Sequence, residues 1–246
     1  MKCMNSIRAL ILILMLSGCQ VGQLTTLYND DTSIEENDLR VDAAHKPITG
    51  IYQKYSSRMR LLEEIYYVHG KMDGLYKAYD NKGHLDLVAQ YKKGRLNGKA
   101  ISYYPSGQEK EISTYYKGKK EGSQLMYFKN GMLMQKGSYV KGLKNGVFEE
   151  YYPNGAVKTS TTYRKGKPHG PARIYTKDNN LISYTEYAKG LRDGPAIAYY
   201  ENGKQKTVAY RKKDKLHGTV KEFDKKGRLI EMTTYKNGEK LQSVKF

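Results

Sequence analysis

YVKGLKNGVFEEYYPNGAVKTSTTY, residues 139–163, is one period of almost the whole chain. Its landmarks are Tyr139, Gly142, Gly146, Tyr151 and Gly155, and Tyr163 opens the next copy. Steps of 24 residues recover each landmark in both directions. The first glycine recurs as Gly70, Gly94, Gly118, Gly142, Gly166, Gly190 and Gly238, with Asp214 in one place. The second runs from Gly50 through Gly146 to Gly218, and the third is Gly83, Gly107, Gly131, Gly155, Asn179, Gly203 and Gly227. One aromatic column is Tyr55, Tyr79, Tyr103, Tyr127, Tyr151, Tyr175, Tyr199 and Phe223. A second is Tyr67, Tyr91, Tyr115, Tyr139, Tyr163, Tyr187 and Tyr235, with Arg211 the exception. A fixed period between about 20 and 50 residues is the signature of a stacked repeat architecture.

The substitutions explain the glycines. Asn179 and Asp214 are the residue types that best tolerate positive φ, so these positions call for left-handed backbone. Met59 and Gln242 stand at glycine phases in the incomplete terminal copies, where the demand is expected to lapse. Lys-Asn-Gly at 129–131, Pro-Asn-Gly at 153–155 and Glu-Asn-Gly at 201–203 read as hairpin turns with glycine in the bulge position. The flanking runs are rich in Tyr, Thr, Val and Ile, which suit a half-buried pleated surface. The expectation is an all-β fold: 24-residue hairpins, each joined to the next by a KGxxxG loop, in one elongated, twisted antiparallel meander sheet. Leu85, Leu133, Val157, Leu181 and Leu229 fall on one side of the second strand. Val88, Ile112, Tyr184, Val208 and Met232 fall on the other, so both faces are partly apolar.

The pattern Y-K-x-G-K-x-x-G-x-x-x-x-Y-Y-x-N-G resembles the bacterial variant of the MORN repeat, found in YwqK-family antitoxins. The resemblance runs from Gly50 to the C-terminus, in about eight copies. It implies stacked hairpins and, as one version of function, neutralisation of a toxin.

Residues 1–18 read as a targeting segment. Lys2 and Arg8 precede the apolar run Ala9–Leu16, and Leu16-Ser17-Gly18-Cys19 resembles a bacterial lipobox. That resemblance implies cleavage before Cys19 and lipidation of its thiol. Gln20, in place of aspartate, resembles outer-membrane sorting in a Gram-negative cell. Cys3 departs with the leader, leaving Cys19 as the one cysteine and no internal disulfide. Residues 19–49 carry six acids against two bases and read as a lipidated N-terminus and acidic, flexible tether.

The repeat domain, 50–246, has the opposite sign: of a net +18 for the chain, it holds +20. Lys92, Lys93, Arg95, Lys117, Lys119, Lys120, Lys141, Lys144, Arg164, Lys165, Lys167, Lys189, Arg192, Lys212, Lys213 and Lys215 all fall in the inter-repeat segment. Stacking is expected to line them up as a ridge. Such a ridge can bind an anionic partner, whether acidic protein, lipid headgroups or glycan. Alternatively, solvated lysines keep sheet edges from pairing with other chains. Lysine outnumbers arginine 33 to 10, which argues against phosphate-reading forks.

Nothing in the chain reads as catalytic. His169 and His217 are two periods apart, at a turn phase shared with Asp73, Asn97, Asn145 and Asp193, too far apart to share a metal. His69 and His84 have no cysteine or paired carboxylate at ligand spacing. Glu63-Glu64 and Glu149-Glu150 are adjacent strand residues and point to opposite faces. No cofactor is expected, and period-locked tyrosines in an exported chain read as structural more readily than as a nucleic-acid platform. The reading is a non-enzymatic, lipid-anchored module of the cell envelope that binds a protein, with the antitoxin role as one version. A peripheral binder of anionic lipid or glycan and an envelope scaffold are the alternatives.

Overall fold

The computed structural model describes residues 27–29 and 33–246, so the leader and Cys19 lie outside the described residues. Every regular element described is a β-strand. The chain forms two compact units, one reaching Asn97 and one starting at Gly98.

In the first unit, strands Gly50–Tyr55, Leu61–Val68, Lys71–Tyr79 and Leu85–Lys92 pair in succession, each antiparallel to the next. In the second, the same pattern runs through strands such as Glu109–Tyr116, Lys119–Tyr127 and Leu133–Val140 to the last, Glu239–Lys245. Repeated antiparallel hairpins are therefore the fold, as the period demands.

Two kinds of turn alternate. At Pro153-Asn154-Gly155 the Gly155 N–H donates to the Tyr152 carbonyl and the Tyr152 N–H to the Ala156 carbonyl. Gly155 sits at φ +85° and the ladder shifts register beside it, the three-residue hairpin with a glycine bulge that the sequence announces. Met59 occupies the equivalent position at φ +58°, so the terminal copy does not escape the constraint. Gln242, by contrast, lies within the last strand without positive φ.

The expected KGxxxG loop does not exist. Lys165 and Gly166 alone connect Arg164 to its cross-strand partner Lys167. Both have positive φ, 49° and 79°, the two-residue hairpin turn whose twist matches the strands. The residues that follow are already strand. In them the second glycine, such as Gly74 at φ +133°, forms a bulge: Asp73, Gly74 and Leu75 stand opposite Tyr66 alone.

In each unit one face carries the most buried column: Tyr52, Ile65 and Ala89, in register across successive strands, in the first, and Phe148 in the second. Its width is set by alternating large and small residues. A Cβ on Gly137 would fall 2.3 Å from the Phe148 ring, so glycine there makes room for phenylalanine. The second tyrosine column lies on this same face, two residues along each strand from the buried positions.

Residues 33–49 depart from the expected tether. Ser33–Glu36 and Leu39–Asp42 form a hairpin. The Arg40 N–H donates to the Gly70 carbonyl, and the Ile48 N–H to the Arg40 carbonyl. A Cβ on Gly70 would lie 2.9 Å from the Arg40 oxygen, so the hairpin rests on that turn. Val41 is 3% exposed, and Ile48, at 1%, joins Tyr52 and Ile65 in a small core. The repeat also begins before Gly50. Ile48 accepts from the Gly70 N–H as Met72 accepts from the Gly94 N–H one copy later. Terminal copies of a repeat array need a cap, and this hairpin supplies one.

Candidate functional site

The two-residue turns stack. The Gly142 N–H donates to the Lys120 carbonyl, Gly166 to Lys144, Gly190 to Pro168, Asp214 to Arg192 and Gly238 to Leu216, all at 2.8 Å. Each turn thus rests on the one before it. With two strands per copy, successive turns are about 10 Å apart. The residue before the second glycine locks the ladder from the side. The Lys93 N–H donates to Asp73 Oδ2, Lys141 to Glu121 Oε2 and Lys189 to His169 Nδ1. His169 is a turn brace, as its phase suggests. His217 Nδ1 is buried and makes no hydrogen bond among the described residues.

Most of the basic residues expected to form a ridge are exposed at or beside these turns, but not all of them. Lys93, Lys117, Lys141, Lys165, Lys189 and Lys213 are the first residues of the turns, all exposed and all at φ between 48° and 52°. Lys92, Arg95, Lys119, Arg164, Lys167, Lys212 and Lys215 flank them and are exposed as well. Lys120, Lys144 and Arg192 do not stand with them: they are half-buried, on the tyrosine face. Cross-strand pairing causes this, since Lys144 stands opposite Tyr139 and Arg192 opposite Tyr187. Lys144 Nζ lies 4.6 Å from the Phe148 ring centre and 5.0 Å from that of Tyr163. Arg192 Nε donates to Asp214 Oδ1 at 2.9 Å.

Lys120 belongs to a polar network in the buried column. Glu111 Oε1 accepts from Ser113 at 2.7 Å, from Lys120 at 2.9 Å and from Gln124 at 2.6 Å. Gln124 Oε1 in turn accepts from the Tyr139 hydroxyl. Burial alone would raise the Glu111 carboxyl, but these three donors outweigh it and leave it below the usual range. The adjacent carboxylates diverge as strand geometry requires: Glu63 pairs with Lys54 and Glu64 with Lys77. Tyr104, Tyr152 and Tyr200, beside the first aromatic column, are half-buried, and each hydroxyl donates to the main chain of the following copy, at Tyr127, Tyr175 and Phe223.

The first unit holds a cleft of about 950 Å³ that the sequence did not reveal. Its floor is the tyrosine face, where Tyr52 meets Tyr67 edge-on at 6.1 Å and Tyr76 meets Tyr91 at 6.0 Å. Its wall is the capping hairpin, whose Arg40 guanidinium lies 4.0 Å over the Tyr52 ring. Arg40 Nε donates to Ser33 Oγ, fixing the wall residue. Burial, with the Glu63 charge adding to it, pushes the Tyr76 hydroxyl up to about 12. Burial raises Tyr67 too, although Arg40 opposes it. Both are therefore hydrogen-bond donors at any physiological pH.

The hairpins of the second unit place the protein among repeat proteins built from one short β-module. The sequence model of the MORN repeat variant matches residues 96–117, 120–141, 144–165 and 216–237. Each matched segment is one hairpin about a turn that ends in a left-handed glycine, Gly107, Gly131, Gly155 or Gly227. The intervening copies keep the fold but carry Pro168, Pro171 and Pro195 in the first strand and Asn179 and Asp214 at glycine phases. No curated protein matches the chain. Among solved structures, that of TcdB2-TccC3 is 14% identical over 77% of this chain and 14% of that one, with a TM-score of 0.17. The TcdB2-TccC3-Cdc42 structure gives 14% identity, 74% and 13% coverage, and 0.16. This chain thus spans about a seventh of the length of the solved chains it matches.

Proposed function

We propose that this is a non-enzymatic interaction module of the cell envelope, held by a lipid on Cys19, whose lysine ridge receives an acidic partner protein. The observation that carries the reading is where the ridge lysines sit. The first position of this turn requires φ > 0 and favours Asn, Gly or Asp. A residue with a Cβ there is strained by roughly 1 kcal/mol. Asn237 shows that this chain can use asparagine at the same phase. Six successive turns nonetheless carry lysine. Lysines serving only solubility could occupy unstrained strand positions nearby. Strain repeated at one edge marks a demand for charge there. Among the described residues, the ammonium groups of Lys141, Lys165, Lys189 and Lys213 enter no ion pair, so they are available to a partner. An antitoxin role is one instance of such binding.

A second reading has support in the even spacing. A row of identical charges about 10 Å apart suits a uniform anionic surface, lipid or glycan, as well as an acidic protein. One experiment separates them. Lys141, Lys165, Lys189 and Lys213 are changed together to Gln, and the variant is compared with wild type in co-purification from envelope extracts and in sedimentation with anionic vesicles. Loss of a discrete protein partner supports the first reading, and loss of vesicle binding alone the second. Unchanged behaviour in both assays refutes the ridge as a binding surface.

A further inference from the structure

The cleft of the first unit has chemistry of its own. We infer that it is a binding site for an acidic saccharide, a sugar chain bearing a single carboxylate. Its floor offers aromatic rings, whose negative faces attract the positively polarised C–H face of a pyranose ring. The hydroxyls of Tyr67 and Tyr76 have no hydrogen-bond partner among the described residues, so they are available to a polyhydroxylated ligand. Acceptors are present too: Glu35, Asp38 and Glu63 line the cleft. At the turn side stand Lys71 and Arg95, exposed and without an ion-pair partner among the described residues. Their positive charges suit a carboxylate.

The same residues disfavour other occupants. An acyl chain would desolvate three carboxylates and several cations without compensation. An extended peptide adding to the sheet needs an open strand edge, but Leu61–Val68 and Lys71–Tyr79 are hydrogen-bonded on both sides. A nucleotide phosphate would bring a second negative charge toward Glu35, Asp38 and Glu63. A sugar with one carboxylate uses rings, hydroxyls, acids and bases together, and the volume of about 950 Å³ admits more than one ring.

The test uses the full-length protein and two disaccharides that differ by one acidic group. N-acetylglucosaminyl-N-acetylmuramic acid carries the carboxylate, and di-N-acetylchitobiose lacks it. Calorimetric titration should show the acidic sugar binding about tenfold tighter than the neutral one. Lys71→Gln with Arg95→Gln should remove that difference without lowering the melting temperature. Tyr76→Phe, which keeps the ring, should weaken both sugars. Changing Lys141, Lys165, Lys189 and Lys213 to Gln should leave both affinities unchanged, which separates this site from the turn lysines of the second unit. The inference is overturned by no binding at millimolar sugar, by equal affinity for the two disaccharides, by an unaffected Lys71/Arg95 variant, or by tighter binding of adenosine monophosphate.

Discussion

Replacing the turn lysines by asparagine should make the protein more stable while removing its ridge. Lys141, Lys165, Lys189 and Lys213 have φ of 51°, 49°, 52° and 49°. Left-handed backbone costs a residue with a Cβ roughly 1–2 kcal/mol, and asparagine, several-fold enriched there, recovers about 0.5 kcal/mol per site. The sites are about 10 Å apart and share no side-chain partner, so their effects should add to about 2 kcal/mol. For a chain of this size that corresponds to a rise of about 4–8 °C in melting temperature. Glutamine at the same four positions removes the same charge but keeps the strain, so its melting temperature should stay near that of the wild type. Thermal and urea denaturation of both variants, followed by far-UV circular dichroism, gives the comparison. If the asparagine variant is no more stable than the glutamine variant, the lysines are not strained, and the argument that charge is demanded at this edge fails.

Other outcomes follow from particular contacts. Gly137→Ala should destabilise by about 1–3 kcal/mol through collision with Phe148, and Phe148→Leu should recover part of the loss in a double-mutant cycle. Gly155→Val should cost more than about 1 kcal/mol at φ +85°, whereas Gly155→Asn should cost much less; equal losses on denaturation would contradict the left-handed assignment. Glu111 has its folded pKa held below the usual range, so its contribution is present above the unfolded pKa and lost as pH falls through the folded one. Acid titration of stability in Glu111→Gln should accordingly show a shallower loss below the ordinary carboxylate range than wild type. Cys19→Ala should abolish incorporation of labelled fatty acid, and wild-type protein that takes up no label would end the lipoprotein proposal.

The period made the hairpins legible, because every glycine that moved the chain through left-handed space recurred at a fixed phase. Three features were not. The Lys-Gly connection looked like the start of a loop because lysine gives no sign of a tight hairpin turn, and only Gly166 of the pair declared positive φ. Lys120, Lys144 and Arg192 are adjacent in sequence to rim residues, yet strand alternation turns them onto rings and carboxylates across the sheet. The hairpin at 33–42 was hidden by its acidity. Charge counts describe solvation, whereas the hairpin and Ile48 are held by backbone bonds of Arg40 and Ile48 to Gly70 that no local composition encodes. The phase match of Ile48 and Thr49 with Met72 and Asp73 was the available signal. The Thr49 hydroxyl accepts from the His69 N–H as Asp73 accepts from that of Lys93. The cleft depends on this hairpin and so was invisible with it.

The hydroxyl bridges of Tyr104, Tyr152 and Tyr200 have a consequence for how the array comes apart. On the side of the two-residue turns, each turn of the second unit from Gly142 to Gly238 is tied to the one before it, but on the opposite side the clasp recurs only every second copy. Phe128 and Thr176 hold the intervening places and make no such bridge. Asn154 and Asn202 reinforce the same clasps through Lys177 and Lys225. At about 1 kcal/mol per bond, this favours splitting between pairs over splitting within them. The cooperative element of the second unit is then a 48-residue double hairpin, not a single copy. Hydrogen exchange should open the sheet first at the seams near Phe128–Tyr151 and Thr176–Tyr199, and lengthening or shortening the chain should be tolerated best in doublets.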